Sequence, residues 1–188
     1  MKIAITGHTA GIGHAFTKIL ASRGHEIVGI SRRTGENIKR IEHVANMIQP
    51  CDMFINNAQS AYAQTELLYS VWNHWRGLEG KYIWNISTQM TEQPINSTPD
   101  GQDDITMSAY RNQKIALEEA SRQLRFKNIW PLISVIRPGG VATQAQFDND
   151  NQANVDKWAQ SIIDIFSHNE NINISEISVG HKKKRIPI

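Results

Sequence analysis

Short apolar segments alternate with longer amphipathic segments along most of the chain, and this alternation limits the possible folds more than any other feature. The apolar segments predict strands at 3–6, 26–30, 53–55, 81–86, 130–136 and 172–179. The amphipathic segments predict helices at 12–23, 38–48, 66–76, 108–126 and 155–166. Because a helix between two strands joins them in parallel, the order predicts an α/β fold. We expect a doubly wound parallel sheet of six to seven strands with helices on both faces.

The size and charge of the chain narrow its class. Its 188 residues predict a single domain, and its net charge of +2 gives no reason to expect a nucleic-acid or membrane partner. No apolar run has the length of a membrane span or of a signal peptide, and the single cysteine, Cys51, fits a reducing compartment. We therefore expect a cytoplasmic protein. The basic run 181–185 is expected to be a solvated end, with an anionic partner as the alternative.

Three glycines, Gly7, Gly11 and Gly13, separate the first predicted strand from the first predicted helix. The start of a helix offers unpaired N–H groups and a partial positive charge, and glycine lets the backbone approach a phosphate group without an intervening Cβ. In a doubly wound sheet this position receives the pyrophosphate of a dinucleotide. For the glycines taken alone, a purely structural loop is the alternative.

Five stretches together resemble, in the same order, the motifs of the short-chain dehydrogenases/reductases. They read TGHTAGIG at 6–13, NNAQ at 56–59, NIST at 85–88, YRNQK at 110–114 and RPGGVAT at 137–143. Gln59 stands where the family motif has glycine. The resemblance spans nearly the whole chain and implies a compact, truncated member with one NAD(P)-binding Rossmann-fold domain over 1–188. It also implies an oxidoreductase acting on a small-molecule carbonyl or alcohol substrate, and a homodimer or homotetramer paired through the helix that carries Tyr110.

Tyr110 and Lys114 are the candidate catalytic pair. They are four residues apart on a predicted helix and therefore share a face. A nearby ammonium group favours the phenolate, so we expect Lys114 to lower the tyrosine pKa and to make Tyr110 a usable general acid and base. An isolated pair of this kind would more simply be a surface helix pair; the other four motifs reverse that preference.

A carbonyl substrate also needs a hydrogen-bond donor to orient its oxygen. The resemblance places this hydroxyl at Thr88, with Ser87 beside it, and we favour Thr88 slightly. The alternative is that both hydroxyls only satisfy backbone groups at a strand end. Family members often hold a relay water through an asparagine on the preceding helix; Gln64 and Asn73 are the candidates here, and neither fits the pattern well.

The end of the second predicted strand indicates which cofactor is bound. It reads Ser31, Arg32, Arg33, with no acidic residue before Glu36. An acid here would grip the ribose hydroxyls of NAD, whereas two guanidinium groups and a hydroxyl suit the 2′-phosphate of NADP. We therefore predict NADP(H) over NAD(H), the alternative being that both arginines are solvated loop charges. No metal is expected. The full set of cofactor contacts implied by the residues and the resemblance is Gly7, Thr9, Ala10, Gly11, Ile12, Gly13, Ser31, Arg32, Arg33, Asn37, Ile38, Asn57, Ala58, Lys114, Pro138, Gly139, Val141 and Thr143.

Three segments differ from the usual pattern of the family. Only seven residues separate Ile30 from Ile38, so a helix and the third strand are expected to be missing or reduced to a stub. The substrate lid around 144–154 is short and polar, with Phe147 as its single apolar anchor, and is expected to be mobile. The polar loop 89–104 is longer than usual and is expected to shape the substrate site. The five tryptophans are expected in the core or at a subunit interface.

Two other functions remain open at this point. A short lid and an absent relay asparagine favour a non-catalytic NADP(H)-binding sensor or interaction protein, although the Tyr110–Lys114 pair argues against it. The long interval between Thr88 and Tyr110 resembles the extended branch of the family, whose members act on nucleotide sugars. That branch usually adds a C-terminal substrate domain, for which 188 residues are expected to leave no room.

Overall fold

A six-stranded parallel sheet forms the centre of the molecule. The computed structural model describes residues 1–92, 105–143, 152–168 and 172–181. The strands are β1 (Lys2–Thr6), β2 (Glu26–Ile30), β3 (Met53–Asn56), β4 (Tyr82–Ile86) and β5 (Leu132–Pro138), then the two-residue strands β6 (Val141–Ala142) and β7 (Ala153–Asn154), and finally β8 (Glu176–Val179). The main sheet has the order β2-β1-β3-β4-β5-β8, all in parallel, while β6 and β7 pair separately. The expected doubly wound parallel sheet is confirmed.

In the described ranges, five α-helices cover both faces of the sheet. They are α1 (Gly11–Ser22), α2 (Ile41–Ile48), α3 (Ala63–Trp75), α4 (Ile105–Lys127) and α5 (Val155–Ser167). Helices α2, α3 and α4 share one apolar core with the sheet, and α1 and α5 share the other. In the part of the chain that the structure describes, no helix combines the length and the apolar surface needed to cross a bilayer.

Successive side chains of a strand point to opposite faces of the sheet, so each strand contributes to both cores. On β3, Phe54 faces the core of α2, α3 and α4, whereas Met53 and Ile55 face that of α1 and α5. Both faces are therefore apolar, as expected for parallel strands covered on each side. Four of the five tryptophans are buried (Trp72, Trp75, Trp84 and Trp158), and Trp130 is half-buried. Their assignment to the core is confirmed for those four.

The connection between β2 and α2 contains no strand, so the strand that family members have at this place is missing, as expected. Only a single turn of 3₁₀ helix, Arg32–Thr34, lies between β2 and α2. Other boundaries differ by a few residues: α4 begins at Ile105, β5 continues to Pro138, and β8 begins only at Glu176. Proline can extend β5 because it stands at the last position of the strand. The polar loop begins with a 3₁₀ turn, Gln89–Glu92, but its residues 93–104 lie outside the described residues, as do 144–151 of the lid, including Phe147, and 182–185 of the basic run.

Candidate active site

A cleft of about 220 Å³ opens at the carboxyl ends of the central strands, where parallel sheets bind ligands. Ten of the sequence-predicted residues line it, together with Gln59 and Ile86: Ile12, Asn57, Ser87, Thr88, Tyr110, Lys114, Pro138, Gly139, Val141 and Thr143. The structure thus brings residues from all five sequence motifs to one place. Gln59 itself hydrogen-bonds across to Gln113 on α4.

The glycine turn, residues 6–13, forms one wall of the cleft. Gly7 and Gly11 have φ values of +72° and +53°, which side chains rarely adopt. A Cβ on Gly13 would lie 2.4 Å from the carbonyl oxygen of Gly7 and 2.7 Å from Nδ2 of Asn57. Glycine is therefore required at position 13 by contact within the protein, independently of any ligand.

Asn57 and Thr6 hold this wall against β3. The Asn57 amide donates to the Thr6 carbonyl oxygen at 3.0 Å. The Thr6 hydroxyl oxygen accepts from the backbone N–H groups of Asn57, at 2.9 Å, and Ala58, at 3.0 Å. These contacts fix the glycine turn relative to the centre of the sheet before any cofactor binds.

The N-terminus of α1 fits a phosphate group. Its N-cap residue, Ala10, makes no side-chain capping hydrogen bond, and its first turn holds no acidic residue. The first N–H groups of the helix are thus left to another partner. Opposite Gly11, a Cβ would lie only 3.3 Å from Cβ of Thr143, so the glycine turn and the segment after β5 meet closely there.

The end of β2 carries two hydroxyl and two guanidinium groups. The hydroxyls of Thr9 and Ser31 are 2.9 Å apart, and Ser31 also accepts from the Arg33 N–H at 3.2 Å. Arg32 and Arg33 are exposed, and within the described residues no carboxylate forms an ion pair with either. This group of donors fits a phosphate at the predicted position.

Two of the expected cofactor contacts, Asn37 and Ile38, lie in the connection before α2. Ile38 is only 6% exposed and belongs to the core of α2, α3 and α4. The Asn37 side chain accepts a hydrogen bond from the Lys39 N–H at 3.0 Å and so shapes the turn before α2. The Ile38 side chain therefore belongs to the core, where an apolar group gains by burial, whereas a cofactor contact by Asn37 stays a prediction.

The Tyr110 phenol and the Thr88 hydroxyl both line the cleft. Burial raises the pKa of Tyr110 above its ordinary value of 10, while the hydrogen bond with Thr88 acts in the opposite direction. The expected lowering of this pKa by Lys114 is therefore wrong for the cofactor-free protein. The physical reason is the burial of Tyr110 itself, which disfavours the charged phenolate and raises its pKa.

Lys114 is 3% exposed and is held by two acceptors. Its Nζ donates to Oε1 of Gln64 and to the Ile86 carbonyl oxygen, each at 2.8 Å, and it lies 5.6 Å from the centre of the Tyr110 ring. Burial lowers the pKa of Lys114 to about 7, although the Glu118 carboxylate acts to raise it. Burial therefore favours the uncharged form of Lys114 in the cofactor-free protein.

The two candidate relay residues have different surroundings. Gln64 is 2% exposed, contacts Lys114 directly, and donates through Nε2 to the backbone oxygens of Asn56 and Ile86. Asn73 is exposed on α3. The structure thus brings Gln64, and not Asn73, to the candidate catalytic pair.

Sequence reasoning missed Glu118, which lies four residues after Lys114 on α4 and is 3% exposed. Its Oε1 accepts from the Ser87 hydroxyl at 2.5 Å, so that the Ser87 proton is directed away from Tyr110. Its carboxylate also binds Arg137 through two hydrogen bonds, of 3.0 and 2.7 Å. The i, i+4, i+8 spacing of Tyr110, Lys114 and Glu118 on one helix was the signal available in the sequence.

Comparisons with known proteins agree with this geometry. The family model described as "NAD dependent epimerase/dehydratase family" matches residues 3–172. No curated protein sequence matches the chain.

Solved structures share the fold at low sequence identity. An alcohol dehydrogenase from the archaeon Thermococcus sibiricus, complexed with 5-hydroxy-NADP, has a TM-score of 0.73 at 14% identity, covering 100% of this chain and 99% of that one. A short-chain dehydrogenase from Sphingobium yanoikuyae with NADPH has a TM-score of 0.68 at 16% identity, covering 94% and 87%. A 3-alpha-hydroxysteroid dehydrogenase from Pseudomonas sp. with NADH has a TM-score of 0.63 at 16% identity, covering 95% of each.

These neighbours confirm the Rossmann fold of the short-chain dehydrogenases/reductases. The family model covers far more than half of the sequence. The chain therefore belongs to the NAD-dependent epimerase/dehydratase family.

Proposed function

We propose that the protein is an NADP(H)-dependent oxidoreductase that interconverts a carbonyl compound and an alcohol, with Tyr110 as the general acid and base. The observation that carries this proposal is the grouping of Tyr110, Thr88 and Lys114 in one cleft that is also lined by Ile12 of α1. A proton donor, a second hydroxyl and a helix N-terminus suited to phosphate thus face one space. The bound nicotinamide would supply or accept the hydride.

The protein's own residues then have separate roles. Because burial raises the pKa of Tyr110, its phenol is protonated at neutral pH and can donate a proton to a substrate oxygen. The Thr88 hydroxyl, which lines the same cleft, would hold the same oxygen. Ser87 is less suited to this role because its proton is committed to Glu118. Lys114, anchored by Gln64, lies below the Tyr110 ring and offers a positive charge when protonated.

NADP(H) is proposed over NAD(H) because of Arg32 and Arg33. The related structures include proteins with an NADP derivative, with NADPH and with NADH, so the fold accommodates either cofactor. The choice then depends on local residues, and two exposed guanidinium groups beside the Thr9 and Ser31 hydroxyls favour a 2′-phosphate.

Binding measurements test the cofactor. We expect NADPH to bind at least about tenfold more tightly than NADH, and Arg32→Ala/Arg33→Ala to remove most of that difference while leaving the NADH Kd nearly unchanged. Lys39→Ala, a nearby exposed cation, is the control. Equal affinities of the wild type for the two cofactors would refute the assignment.

Tyr110→Phe tests the chemistry. A panel of aldehydes and ketones is followed with NADPH at the cofactor's absorbance, and the variant is expected to lose about 100-fold or more in kcat with an unchanged NADPH Kd. Tyr82→Phe is the matched control, since Tyr82 is at the opposite end of β4. Full activity of Tyr110→Phe would exclude Tyr110 as the acid.

A second candidate function uses the same site on nucleotide sugars. The observation in its favour is the epimerase/dehydratase family model. Nucleotide sugars therefore belong in the substrate panel, and turnover of these alone would favour this candidate. Tight NADPH binding without turnover of any substrate would favour the sensor or interaction protein.

We propose that two or more copies associate through α3 and α4. Tyr69 on α3 and Ile105 and Ile115 on α4 are large apolar side chains with 41%, 83% and 36% exposure. Sedimentation equilibrium is expected to show a dimer or tetramer, which Ile115→Glu weakens and the control Ile129→Glu does not. A monomeric wild type would refute this association.

A further inference from the structure

We propose that Glu118 is a positioning residue that holds the Thr88 hydroxyl in the cleft beside Tyr110. Its role in turnover rests on the proposed function, but the contact itself can be tested without substrate or cofactor. Glu118 belongs to α4 and Thr88 to the segment after β4. The hydrogen bonds of Glu118 go to Ser87 and Thr91, on either side of Thr88.

The backbone on both sides of Thr88 is tied to Glu118. Oε1 of Glu118 accepts from the Ser87 hydroxyl at 2.5 Å and from the Thr91 hydroxyl at 2.8 Å. One carboxylate oxygen therefore holds the residue before Thr88 and the residue three positions after it. The Thr91 hydroxyl shares its one proton between this oxygen and the Thr88 carbonyl oxygen, each at 2.8 Å, and so links Glu118 to the backbone of Thr88.

The carboxylate is itself fixed. It is bound by Nε of Arg137 at 3.0 Å and by the second terminal nitrogen of Arg137 at 2.7 Å, and both side chains are less than a tenth exposed. Arg137 in turn contacts Glu176 of β8 at 2.5 Å. Glu118 is therefore held rigidly from β5 and β8, as a residue must be if it orients another group.

Other contacts confine the same segment but do not replace Glu118. Arg111 donates to the backbone oxygens of Met90, at 2.9 Å, and Thr91, at 3.2 Å. Ser178 donates to Glu92 at 2.5 Å. These contacts act after Thr88, whereas Glu118 also reaches Ser87 before it. The same carboxylate opposes the effect of burial on the pKa of Lys114, so it acts on a second member of the site.

Glu118→Gln is the test variant, because it keeps the size of the side chain but has one acceptor oxygen and adds two N–H donors facing Arg137. The readout is the ¹³Cζ resonance of Tyr110 in cofactor-free protein at pH 7, which responds to hydrogen bonding of the phenol. It is identified by its absence in Tyr110→Phe. Glu119→Gln, the same change one residue later on the exposed side of α4, is the control.

We expect Glu118→Gln to shift the Tyr110 resonance towards its position in Thr88→Ala, and Glu119→Gln to leave it unchanged. In the double variant Thr88→Ala/Glu118→Gln the second change should have no further effect, because Glu118 acts through Thr88. A wild-type resonance in Glu118→Gln, or additive shifts in the double variant, would overturn the proposal. If Glu118→Gln does not fold, Thr91→Val, which leaves the Arg137 pair intact, is measured in its place with the same two criteria.

With an active carbonyl substrate, Glu118→Gln should lower kcat about tenfold and leave the NADPH Kd unchanged. A shifted resonance with wild-type kcat would overturn the role in turnover. Failure of the proposed function is a separate result: the wild type then reduces no carbonyl, while the resonance of Tyr110 still decides whether Glu118 positions Thr88.

Discussion

The two walls of the cleft are built in opposite ways. The glycine turn is limited by space. A Cβ on Gly13 would meet the Gly7 carbonyl oxygen and the Asn57 amide, which are uncharged groups. The opposite wall depends on what we call the Glu118 cluster, a group of buried and half-buried charges consisting of Glu118, Arg137, Glu176, Arg122 and Arg125. The comparison shows that one wall is limited by space and the other by charge balance, so the two should fail under different changes.

The largest effect is expected from Arg137→Met, which leaves the Glu118 carboxylate buried without its main partner. We expect a loss of about 3–5 kcal/mol in the free energy of unfolding, measured by urea denaturation at pH 7. Arg122→Met is the control: its side chain is 41% exposed and contacts the same carboxylate at 3.5 Å, so its loss should stay below about 1 kcal/mol. Similar losses in the two variants would show that burial of the pair is not what stabilises this wall.

Gly13→Ala tests the other wall and is expected to cost about 1–3 kcal/mol, because the new Cβ meets backbone that cannot rotate away. It should also weaken NADPH binding. Gly24→Ala, at the far end of α1, has nothing within 4 Å of its Cβ but a φ of +83°, so it isolates the conformational strain, about 1 kcal/mol. Normal NADPH binding by Gly13→Ala would mean that the turn can relax.

The smallest effect is expected at Glu176. Its dependence on pH distinguishes the charged wall from the glycine turn. Burial alone opposes its ionisation, but hydrogen bonds from Arg137 and Arg125 outweigh burial and lower the pKa of Glu176 from 4.5 to about 2. Because the folded-state pKa is the lower one, this stabilisation is present above about pH 4.5 and is lost as the pH falls towards 2. We expect Glu176→Gln to cost about 1–2 kcal/mol at pH 7 and little at pH 2.

Unfolding of wild type, Glu176→Gln and Gly13→Ala at both pH values checks this expectation. The cost of Gly13→Ala should be similar at the two pH values, since no charge is involved. A cost of Glu176→Gln that does not change with pH would contradict the ionic character of the Glu118 cluster.

Much of the fold could be predicted from the sequence because the strands and helices have different apolar periods. The reduced third strand followed from the seven residues between Ile30 and Ile38. The order of the strands and the ends of α4 and β8 could not be obtained in this way, because pairing between distant segments decides them. Segment boundaries also depend on neighbours: β8 starts at Glu176, where pairing with Val135 begins.

Site residues could be predicted where the backbone conformation requires a recognisable motif. They could not be predicted where the burial of a side chain determines its charge and contacts. Gly13 and Asn57 belong to recognisable stretches, and the structure places them in contact. The sequence around Glu118 is that of an ordinary surface helix, and only the packing of α4 shows that this side chain is buried. Likewise, the direction of the Tyr110 pKa depends on desolvation of both Tyr110 and Lys114, which no spacing in the sequence reveals.

The missing strand between β2 and α2 also has a consequence for self-association. With only a 3₁₀ turn after it, β2 is an edge of the six-stranded sheet, and edge strands can recruit a foreign strand into unwanted cross-chain pairing. Here the edge is five residues long, contains Gly29, and begins at Glu26, which forms an ion pair with Lys2 at 2.9 Å. Short length, a glycine and charge at its start make β2 a poor template for aggregation, so the fold can omit a strand and keep its colloidal stability.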